Sequence, residues 1–378
     1  MKKILLIACL FCCTAALGQK FVHPGMLHTA SDLEFMRQKV LAGEEPWKTA
    51  WEDLKNSEVA SLDYKPTPWR IVSNGSYNRP DNGGSDFVRD GDAAYTMALQ
   101  WYVERDKAYA EKAIEIFNTW AEVLDSVVNS NKELKIGTGG MKYLNAAEIL
   151  KYSYGGWKKR DRKAFEEMVM GIWYPVIENW TPRKNGNWDA ANGQTMMCMG
   201  IFFDRRDIFD KACKQMFDGE TNGSIKNYFY ANGQCQESGR DQQHVQMGLG
   251  FLACAAEIAW NQGIDLYSAF DNRLATGYEY TAKFMSGEEV PYQQYVTWFG
   301  RPVFGPEISQ SQRNKVMPVW ERAYRHYHGR MGMEMPYTKK LVERSRPEGF
   351  RAQSFIPWST LTTAEVPGDE PRNFHRPD

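Results

Sequence analysis

Residues 185–216 read NGNWDAANGQTMMCMGIFFDRRDIFDKACKQM. Apolar side chains recur every three or four positions over 188–203 and again over 208–216, which predicts two helices joined by a short charged turn. The same spacing recurs along most of the chain, while alternating strand patterns are nearly absent. The further predicted helices span 33–54, 91–101, 109–127, 143–152, 162–177, 240–260, 274–284 and 317–327.

Long loops rich in Gly, Asn and Pro separate these helices, notably 73–85, 135–140, 182–186 and 230–239. Helix pairs joined alternately by short turns and long polar loops predict an all-α fold, a single (α/α) toroid or incomplete α/α barrel with its long loops at one rim. No linker or shift in composition interrupts the chain, so residues 19–378 are predicted to form one domain. A plain helical bundle and a helical-repeat solenoid are the alternatives.

The composition excludes several classes of protein. The chain has 378 residues, of which 43% are hydrophobic, so it can bury a large core. Its 46 Lys and Arg residues balance 47 Asp and Glu residues to a net charge of -1, which argues against nucleic acid as a partner. The 13 Trp residues suit a protein that stacks aromatic rings against sugars.

The N-terminus has the pattern of a secretory signal. Lys2 and Lys3 precede an apolar run over 4–17, and Ala16-Leu17-Gly18 fits a cleavage site. We therefore expect residues 1–18 to be a signal peptide cleaved after Gly18, and the chain to be exported to the periplasm. A lipoprotein signal at 6–9 (LIAC) is the weaker alternative, because it would leave an unusually short apolar region. No later stretch is long and apolar enough to span a membrane.

Four cysteines lie beyond the signal, and none forms a C-x-x-C pair. Because their spacing is wide, zinc binding is not expected. Whether two of them form a disulfide is left undecided, since the sequence does not reveal pairing. The four are Cys198, Cys213, Cys235 and Cys254.

The polar segment 185–195 opens a predicted helix. Asn187 suits the N-cap of that helix, which is a purely structural explanation for it. A functional explanation is that neutral amides and Trp188 open onto the rim. An amide there can donate to a substrate carboxylate without quenching a nearby base.

The segment 234–244 opens another helix. Ser238 and Asp241 have the spacing of a capping box, which predicts a helix from Gly239 with Arg240 and His244 stacked one turn apart. The positive end of a helix disfavours the charged imidazolium, which favours a neutral His244. A neutral His244 can then act as a base, while the neighbouring guanidinium of Arg240 holds the substrate. The alternatives are a structural histidine and a surface ion pair.

Two further regions are dense in aromatic residues. The loop at 291–301 places Tyr292, Tyr295, Trp298 and Arg301 together, as a sugar-binding cleft would, although core packing also explains such aromatics. The run 326–328 (HYH) does not predict a metal site, because side chains two apart on a helix point to different faces.

These segments resemble the alginate lyase family of polysaccharide lyases. The run 187–212 is similar to a family segment in which an Asn-His pair precedes a helix ending in Arg-Asp-Leu-Phe-Asp. Glu237-x-x-Arg240, with His244 after it, resembles the family's Glu-x-x-Arg followed by a Tyr. The runs 277–284 and 346–349 look closest to polysaccharide lyase family 38 of gut Bacteroides. The resemblance extends over 23–347.

The resemblance implies an (α/α) toroid that cleaves uronate-containing glycans, alginate or glucuronan, by β-elimination without a cofactor or metal. It implies that Asn187 neutralises the substrate carboxylate, with Arg240 as a second contact. Trp188 stands where many relatives have a catalytic His, so proton transfer is assigned to His244 and to a Tyr, Tyr295 first and Tyr292 second.

The expected partner is an acidic polysaccharide, and neither nucleic acid nor a membrane span is expected. The residues predicted to contact the polysaccharide are Trp188, Asn192, Gln243, Tyr292, Trp298 and Arg301. A glycoside hydrolase on the same fold is one alternative, with Asp189 and either Asp92 or Asp241 as its carboxylates. A glycan-binding protein without activity is the other.

Overall fold

The computed structural model describes residues 20–350 and 354–367, and its main elements are helices. The predicted signal peptide at 1–18 lies outside the described residues. The first eight helices are α1 (Ala30–Ala42), α2 (Trp47–Lys55), α3 (Gly84–Glu104), α4 (Lys107–Val123), α5 (Lys132–Lys135), α6 (Met141–Ser153), α7 (Lys159–Met168) and α8 (Tyr174–Ile177). The others are α9 (Gly186–Phe202), α10 (Arg206–Asp218), α11 (Ile225–Tyr228), α12 (Gln242–Asn261), α13 (Ala269–Met285), α14 (Trp320–Tyr324), α15 (Pro336–Ser345) and α16 (Ser359–Thr363).

The helices are arranged in a ring. Contacts run from α1 to α3, α6, α9, α12, α14 and α16, and α16 returns to α1. A second helix packs outside three members of this ring: α4 on α3, α10 on α9 and α13 on α12. This double layer of helices is the predicted all-α toroid.

Several predicted helices differ from the observed ones. The span 33–54 is two helices, because Gly43 ends α1 in the left-handed conformation (φ 68°) and Pro46 precedes α2. The span 162–177 contains a π-helical stretch, Val169–Trp173, between α7 and α8. A second π-helical stretch, Ile136–Gly140, joins α5 to α6 without a break.

Two small sheets accompany the helices, and sequence patterns did not indicate them. In the first, β1 (Ile71–Asn74) pairs antiparallel with β2 (Asp81–Asn82) and parallel with β3 (Ser126–Val128). In the second, β4 (Tyr295–Val296) pairs antiparallel with β5 (Pro302–Val303). Strands of two to four residues are too short to show a period of two in the sequence.

A single cluster of buried apolar residues extends from Met26 to Ala364 and fills the space between the helices. The four cysteines beyond the signal are buried in this core with free thiols. Within the described ranges, no helix is both long and apolar enough to span a bilayer.

Buried ion pairs join the first and later parts of the ring. Arg325 donates to Asp32 in α1 at 3.0 Å and to Glu257 in α12 at 3.1 Å. All three side chains are almost fully buried. Because an unpaired buried charge is costly, these contacts fix how the two parts of the chain meet.

Candidate active site

The starts of α9 and α12 meet at one end of the ring. The Asn187 Nδ2 atom donates to the backbone carbonyl of His244 at 2.9 Å. Its second amide hydrogen has no partner among the described residues, although the side chain is only 3% exposed. The N-cap of α9 is Asn185, so the expectation that Asn187 caps this helix is wrong.

A buried tyrosine orients the Asn187 amide. The Tyr228 hydroxyl donates to Asn187 Oδ1 at 2.6 Å. Burial raises the pKa of Tyr228 well above its usual value, so the hydroxyl stays protonated and remains a donor. Since Oδ1 accepts from Tyr228, the Nδ2 end of Asn187 faces the start of α12.

The helix α12 begins later than predicted. Asp241 is its N-cap, with Oδ1 accepting from the backbone N–H of His244 at 2.8 Å. Ser238 belongs to a separate 3-10 turn, Gln236–Gly239. Arg240 therefore lies outside the helix, and the prediction that it stacks on His244 along one helical face is wrong.

Asp241 also holds the His244 ring. Its Oδ2 atom lies 2.6 Å from Nδ1 of His244. A carboxylate at this distance favours the tautomer with the proton on Nδ1, which leaves a lone pair on Nε2. Nε2 has no hydrogen-bond partner in the described part of the chain, and the ring is 31% exposed. Burial raises the pKa of Asp241, but the two hydrogen bonds from His244 outweigh this and lower it below its usual value.

Arg240 is anchored next to this histidine. Its Nη1 atom lies 3.3 Å from Oε2 of the fully buried Glu237, and its side chain is 26% exposed. Burial raises the pKa of Glu237, while the attraction of Arg240 opposes that rise. Arg240 Nε also lies 4.0 Å from Asp241 Oδ2. The guanidinium is thus held from the protein side, and its other donors are available to a ligand.

The aromatic loop at 291–301 packs on the same end of the ring. Gln234 and Gln293 exchange hydrogen bonds, which ties this loop to the segment that carries Arg240. Trp298 Nε1 donates to the carbonyl of Pro182 at 2.7 Å, in the loop before α9. The Arg301 side chain is exposed. The structure therefore brings the three predicted functional regions to one rim.

Tyr295 does not fit the proton-transfer role expected of it. Its side chain is 2% exposed, and its hydroxyl donates to the backbone carbonyl of Asn227. Burial raises its pKa far above the usual value. Because the Tyr295 side chain is buried as well as hydrogen-bonded, its hydroxyl does not reach a substrate, and the first choice of tyrosine is corrected.

Tyr292 is better placed. It is half-buried, and its hydroxyl donates to the carbonyl of Gly305 at 2.8 Å. A β-carbon added to Gly239 would lie 2.2 Å from this oxygen, so the hydroxyl sits directly against the residue before Arg240. Burial raises the pKa of Tyr292, which keeps it protonated near neutral pH.

Asn192 lies in the core, which corrects its prediction as a substrate contact. It is fully buried, and a β-carbon on Gly137 would stand 2.8 Å from its Oδ1. Neither amide atom of Asn192 has a hydrogen-bond partner among residues 20–350 and 354–367. The helical register explains this position, because Asn192 points toward the π-helical stretch and away from the rim.

The remaining predicted contacts lie closer to the rim. Trp188 is half-buried, with the Lys184 ammonium 3.9 Å from the centroid of its ring. Gln243 is half-buried and opens into a cleft of about 420 Å³ that lies against the first turns of α12. The cleft is lined by Asn78, Ser85, Asp86, Val88, Arg89, Lys135, Gln243, Met247, Ser354 and Phe355.

Sequence reasoning missed the roles of Asp241 as the partner of the His244 ring and of Tyr228 as the partner of Asn187. The spacing Asp-x-x-His at a helix start could have indicated the first, because an N-cap carboxylate lies near the third helical residue. Nothing in the sequence indicated the second, since 41 positions separate Tyr228 from Asn187.

The matches to known proteins agree on one family. A sequence profile named alginate lyase matches residues 39–291. No curated protein sequence matches the chain significantly.

Solved structures with a similar fold carry the same name. The crystal structure of an alginate lyase from Bacteroides ovatus superposes with a TM-score of 0.64 at 14% identity, covering 91% of this chain and 100% of that one. Alginate lyase A1-III complexed with a tetrasaccharide gives 0.52 at 14% identity, covering 65% of this chain and 74% of that one. Alginate lyase A1-III from Sphingomonas species A1 gives 0.50 at 14% identity, covering 65% and 76%. At these identities, the likeness concerns the fold.

Proposed function

Since the chain belongs to the alginate lyase family of polysaccharide lyases, we propose that it cleaves a uronate-containing polysaccharide by β-elimination at the rim site around His244. Alginate is the first candidate substrate and glucuronan the second. The observation that carries the proposal is the Asp241–His244 pair, which leaves Nε2 of an exposed imidazole free to accept a proton.

The site supplies the groups that elimination requires. The C5 proton of a uronate becomes removable when donors neutralise the neighbouring carboxylate and stabilise the enolate that forms. The free Nδ2 hydrogen of Asn187 and the exposed donors of Arg240 fill this role. Both lie beside His244. Asn187 donates to its backbone carbonyl, and Arg240 Nε lies 4.0 Å from the Asp241 Oδ2 atom that contacts the His244 ring.

The reaction then follows from these positions. Nε2 of His244 takes the C5 proton, the electrons form the C4–C5 double bond, and the C4–O4 bond breaks. We assign the proton that O4 receives to the Tyr292 hydroxyl, which solvent later restores. Asp241 stabilises the imidazolium that His244 becomes. The products are a new non-reducing end with an unsaturated uronate and a free O4 hydroxyl on the other fragment.

The carboxylates do not favour a glycoside hydrolase. Asp189 is buried and accepts from the backbone N–H of Thr181 at 2.6 Å. Asp92 is fully buried and 2.5 Å from the Lys142 ammonium. Asp241 is engaged with His244. Two carboxylates facing one another across a sugar are therefore absent among the candidates that the sequence offered.

An ultraviolet assay tests the reaction. The protein is mixed separately with alginate, glucuronan and a neutral glucan, and absorbance of the conjugated double bond is followed with time. We expect a rise with a uronate polymer and none with the neutral glucan. New reducing ends without the absorbance would mean hydrolysis, and neither signal would mean that the protein has no action on these polymers.

His244→Gln tests the assignment of the base. We expect kcat to fall by roughly two to four orders of magnitude, as for other general acid–base groups, with the melting temperature nearly unchanged. His28→Gln is no suitable control, since His28 is buried. His328→Gln, at an exposed histidine far along the chain, should retain wild-type kcat.

Export is proposed from the N-terminal pattern. Mass spectrometry of the protein from the native host should give a mature chain that begins at Gln19. A diacylglyceryl group on Cys9 would instead establish the lipoprotein alternative.

A further inference from the structure

The cleft beside the candidate active site contains a lysine without a counter-ion. The cleft adjoins the first turns of α12 through Gln243 and Met247, and Lys135 lines it as well. Lys135 ends α5, in the loop region between β3 and α6. The cavity of about 420 Å³ is large enough for one or two sugar rings.

The Lys135 ammonium makes no ion pair within 4 Å in the described part of the chain. Asp81 is an acidic group whose charge acts on it, but the Asp81 oxygens accept from Asn74 Nδ2 and from Ser85. Burial lowers the pKa of Lys135 below its ordinary value, as expected for an ammonium that has lost water without gaining a full partner.

The other cation of the cleft, Arg89, is already paired with a carboxylate, whereas the negative charge of Asp86 meets only a neutral donor within the described ranges. Arg89 lies 2.8 Å from Glu58, and Asp86 accepts from the indole N–H of Trp69 at 2.8 Å. Lys135 is therefore the cation among the lining residues whose charge is available to a ligand. Gln243, which also lines the cleft, has no side-chain hydrogen bond among the described residues, so its amide is available too.

We propose that Lys135 binds the carboxylate of a second uronate residue, next to the one from which His244 takes a proton, and that Gln243 contacts the same sugar. The inference rests on the proposed function. A polyuronate presents a carboxylate on every residue, so a cation beside the reacting position selects a charged chain over a neutral one. Lys135 is thus a specificity-determining residue and not part of the proton transfer.

The test compares Lys135→Met with wild type on alginate polymer. Methionine keeps much of the length of the side chain and removes the charge. We expect KM for the polymer to rise about tenfold, as for the loss of a hydrogen bond to a charged group, with a much smaller change in kcat. Lys135→Arg should keep KM within about threefold of wild type, because it retains the cation.

Lys132→Gln is the matched control, because Lys132 lies on the same short helix but outside the cleft lining. It should leave KM unchanged. Equal rises in KM for Lys132→Gln and Lys135→Met would indicate that any positive charge on this helix attracts the polymer, and would overturn the proposal. Unchanged KM in Lys135→Met would overturn it as well. If Lys135→Met does not fold, Lys135→Gln and Gln243→Ala are measured in its place, with the same expectation.

The salt dependence of KM gives a second measurement. KM of the wild type should rise with sodium chloride, and the rise should be smaller in Lys135→Met. The two proposals fail in different ways. An inactive wild type contradicts the lyase reaction. An active wild type with the same KM as Lys135→Met contradicts only the second subsite.

Discussion

Gly248 lies so close to Tyr228 that a β-carbon on it would stand 1.7 Å from the tyrosine oxygen. The same β-carbon would stand 2.6 Å from Asn187 Oδ1. The absence of a side chain at 248 is therefore what lets α11 and the start of α9 approach α12. The hydrogen bond that orients Asn187 depends on this approach.

Gly248→Ala should damage both stability and activity. The methyl group displaces Tyr228 and with it Asn187, so the free energy of unfolding should fall by about 1–3 kcal/mol, as for overpacked cores. A misplaced Asn187 should lower kcat by on the order of 10²-fold. Thermal unfolding and initial rates measure the two effects. Gly171→Ala, where nothing lies within 4 Å of the new methyl, is the control and should change neither.

Asp241→Asn should separate the two roles of Asp241. Asparagine caps a helix as well as aspartate does, so melting should change little. It donates where the carboxylate accepted, which favours the other tautomer of His244 and places the proton on Nε2. We expect kcat to fall by on the order of 10²- to 10⁴-fold. In a His244→Gln background the same change should add almost nothing, and a full additive loss would contradict the coupling of the two residues.

Asn187→Ala and Arg240→Ala should act mainly on turnover. Their contacts to the substrate carboxylate strengthen as charge develops, so kcat should fall more than KM rises. The loss of one such donor costs on the order of 3 kcal/mol in comparable sites. Steady-state kinetics of the folded variants measures the effect. Near-normal kcat in both variants would remove these residues from the carboxylate site.

His23 should make stability depend on pH. Its Nδ1 lies 2.6 Å from Glu148 and its Nε2 lies 3.1 Å from Asp204. Burial lowers the pKa of His23, but the two carboxylates outweigh this and raise it above 6.5. The charged His23 therefore stabilises the folded state fully below pH 6.5, and this stabilisation is lost as pH rises through the higher pKa that His23 has in the folded protein. The difference in unfolding free energy between wild type and His23→Gln, on the order of 1 kcal/mol at pH 5.5, should shrink by pH 9. A difference that grew with pH would contradict the assignment.

Arg325→Met should destabilise the ring without changing the chemistry. It leaves Asp32 buried without its cation, while Glu257 keeps Arg330 at 2.9 Å. Breaking a buried pair on one side costs roughly 3–5 kcal/mol. Chemical denaturation measures this loss, and kcat of the folded fraction should stay near wild type. Lys163→Met, which breaks an exposed pair with Glu167, is the control and should cost under about 1 kcal/mol.

The helical ring was predictable because its periodicity is local. The spacing over 188–203 predicted α9 to within two residues at each end, although α9 is buried on nearly all sides and not along one face. The sequence did contain a signal for the break, because Gly43 is a residue type that often ends a helix in the left-handed conformation and Pro46 follows it. The apolar spacing over 33–54 continues across these two residues and obscured that signal.

The site was predictable in part. The polar helix starts predicted that Asn187, Arg240 and His244 face one rim, and the resemblance to alginate lyases supplied the roles of Asn187 and Arg240 at the substrate carboxylate. The orientation of individual side chains was not predictable. Asn192 and Tyr295 both lie in segments that were predicted to face the rim. The Asn192 side chain is nevertheless buried in the core, and the Tyr295 hydroxyl donates to a backbone carbonyl. Burial of a single residue depends on neighbours far away in the chain.

The return of α16 to α1 has a consequence for the order of folding. The Trp358 indole donates to Thr96, 262 positions earlier, and α16 packs on both α1 and α2. These contacts form only when nearly the whole chain is available for folding, so the early helices expose an apolar face until then. Pairings of such long range fold slowly and leave intermediates that aggregate. A protein of this architecture should therefore depend on chaperones during the interval between its first helix and its last.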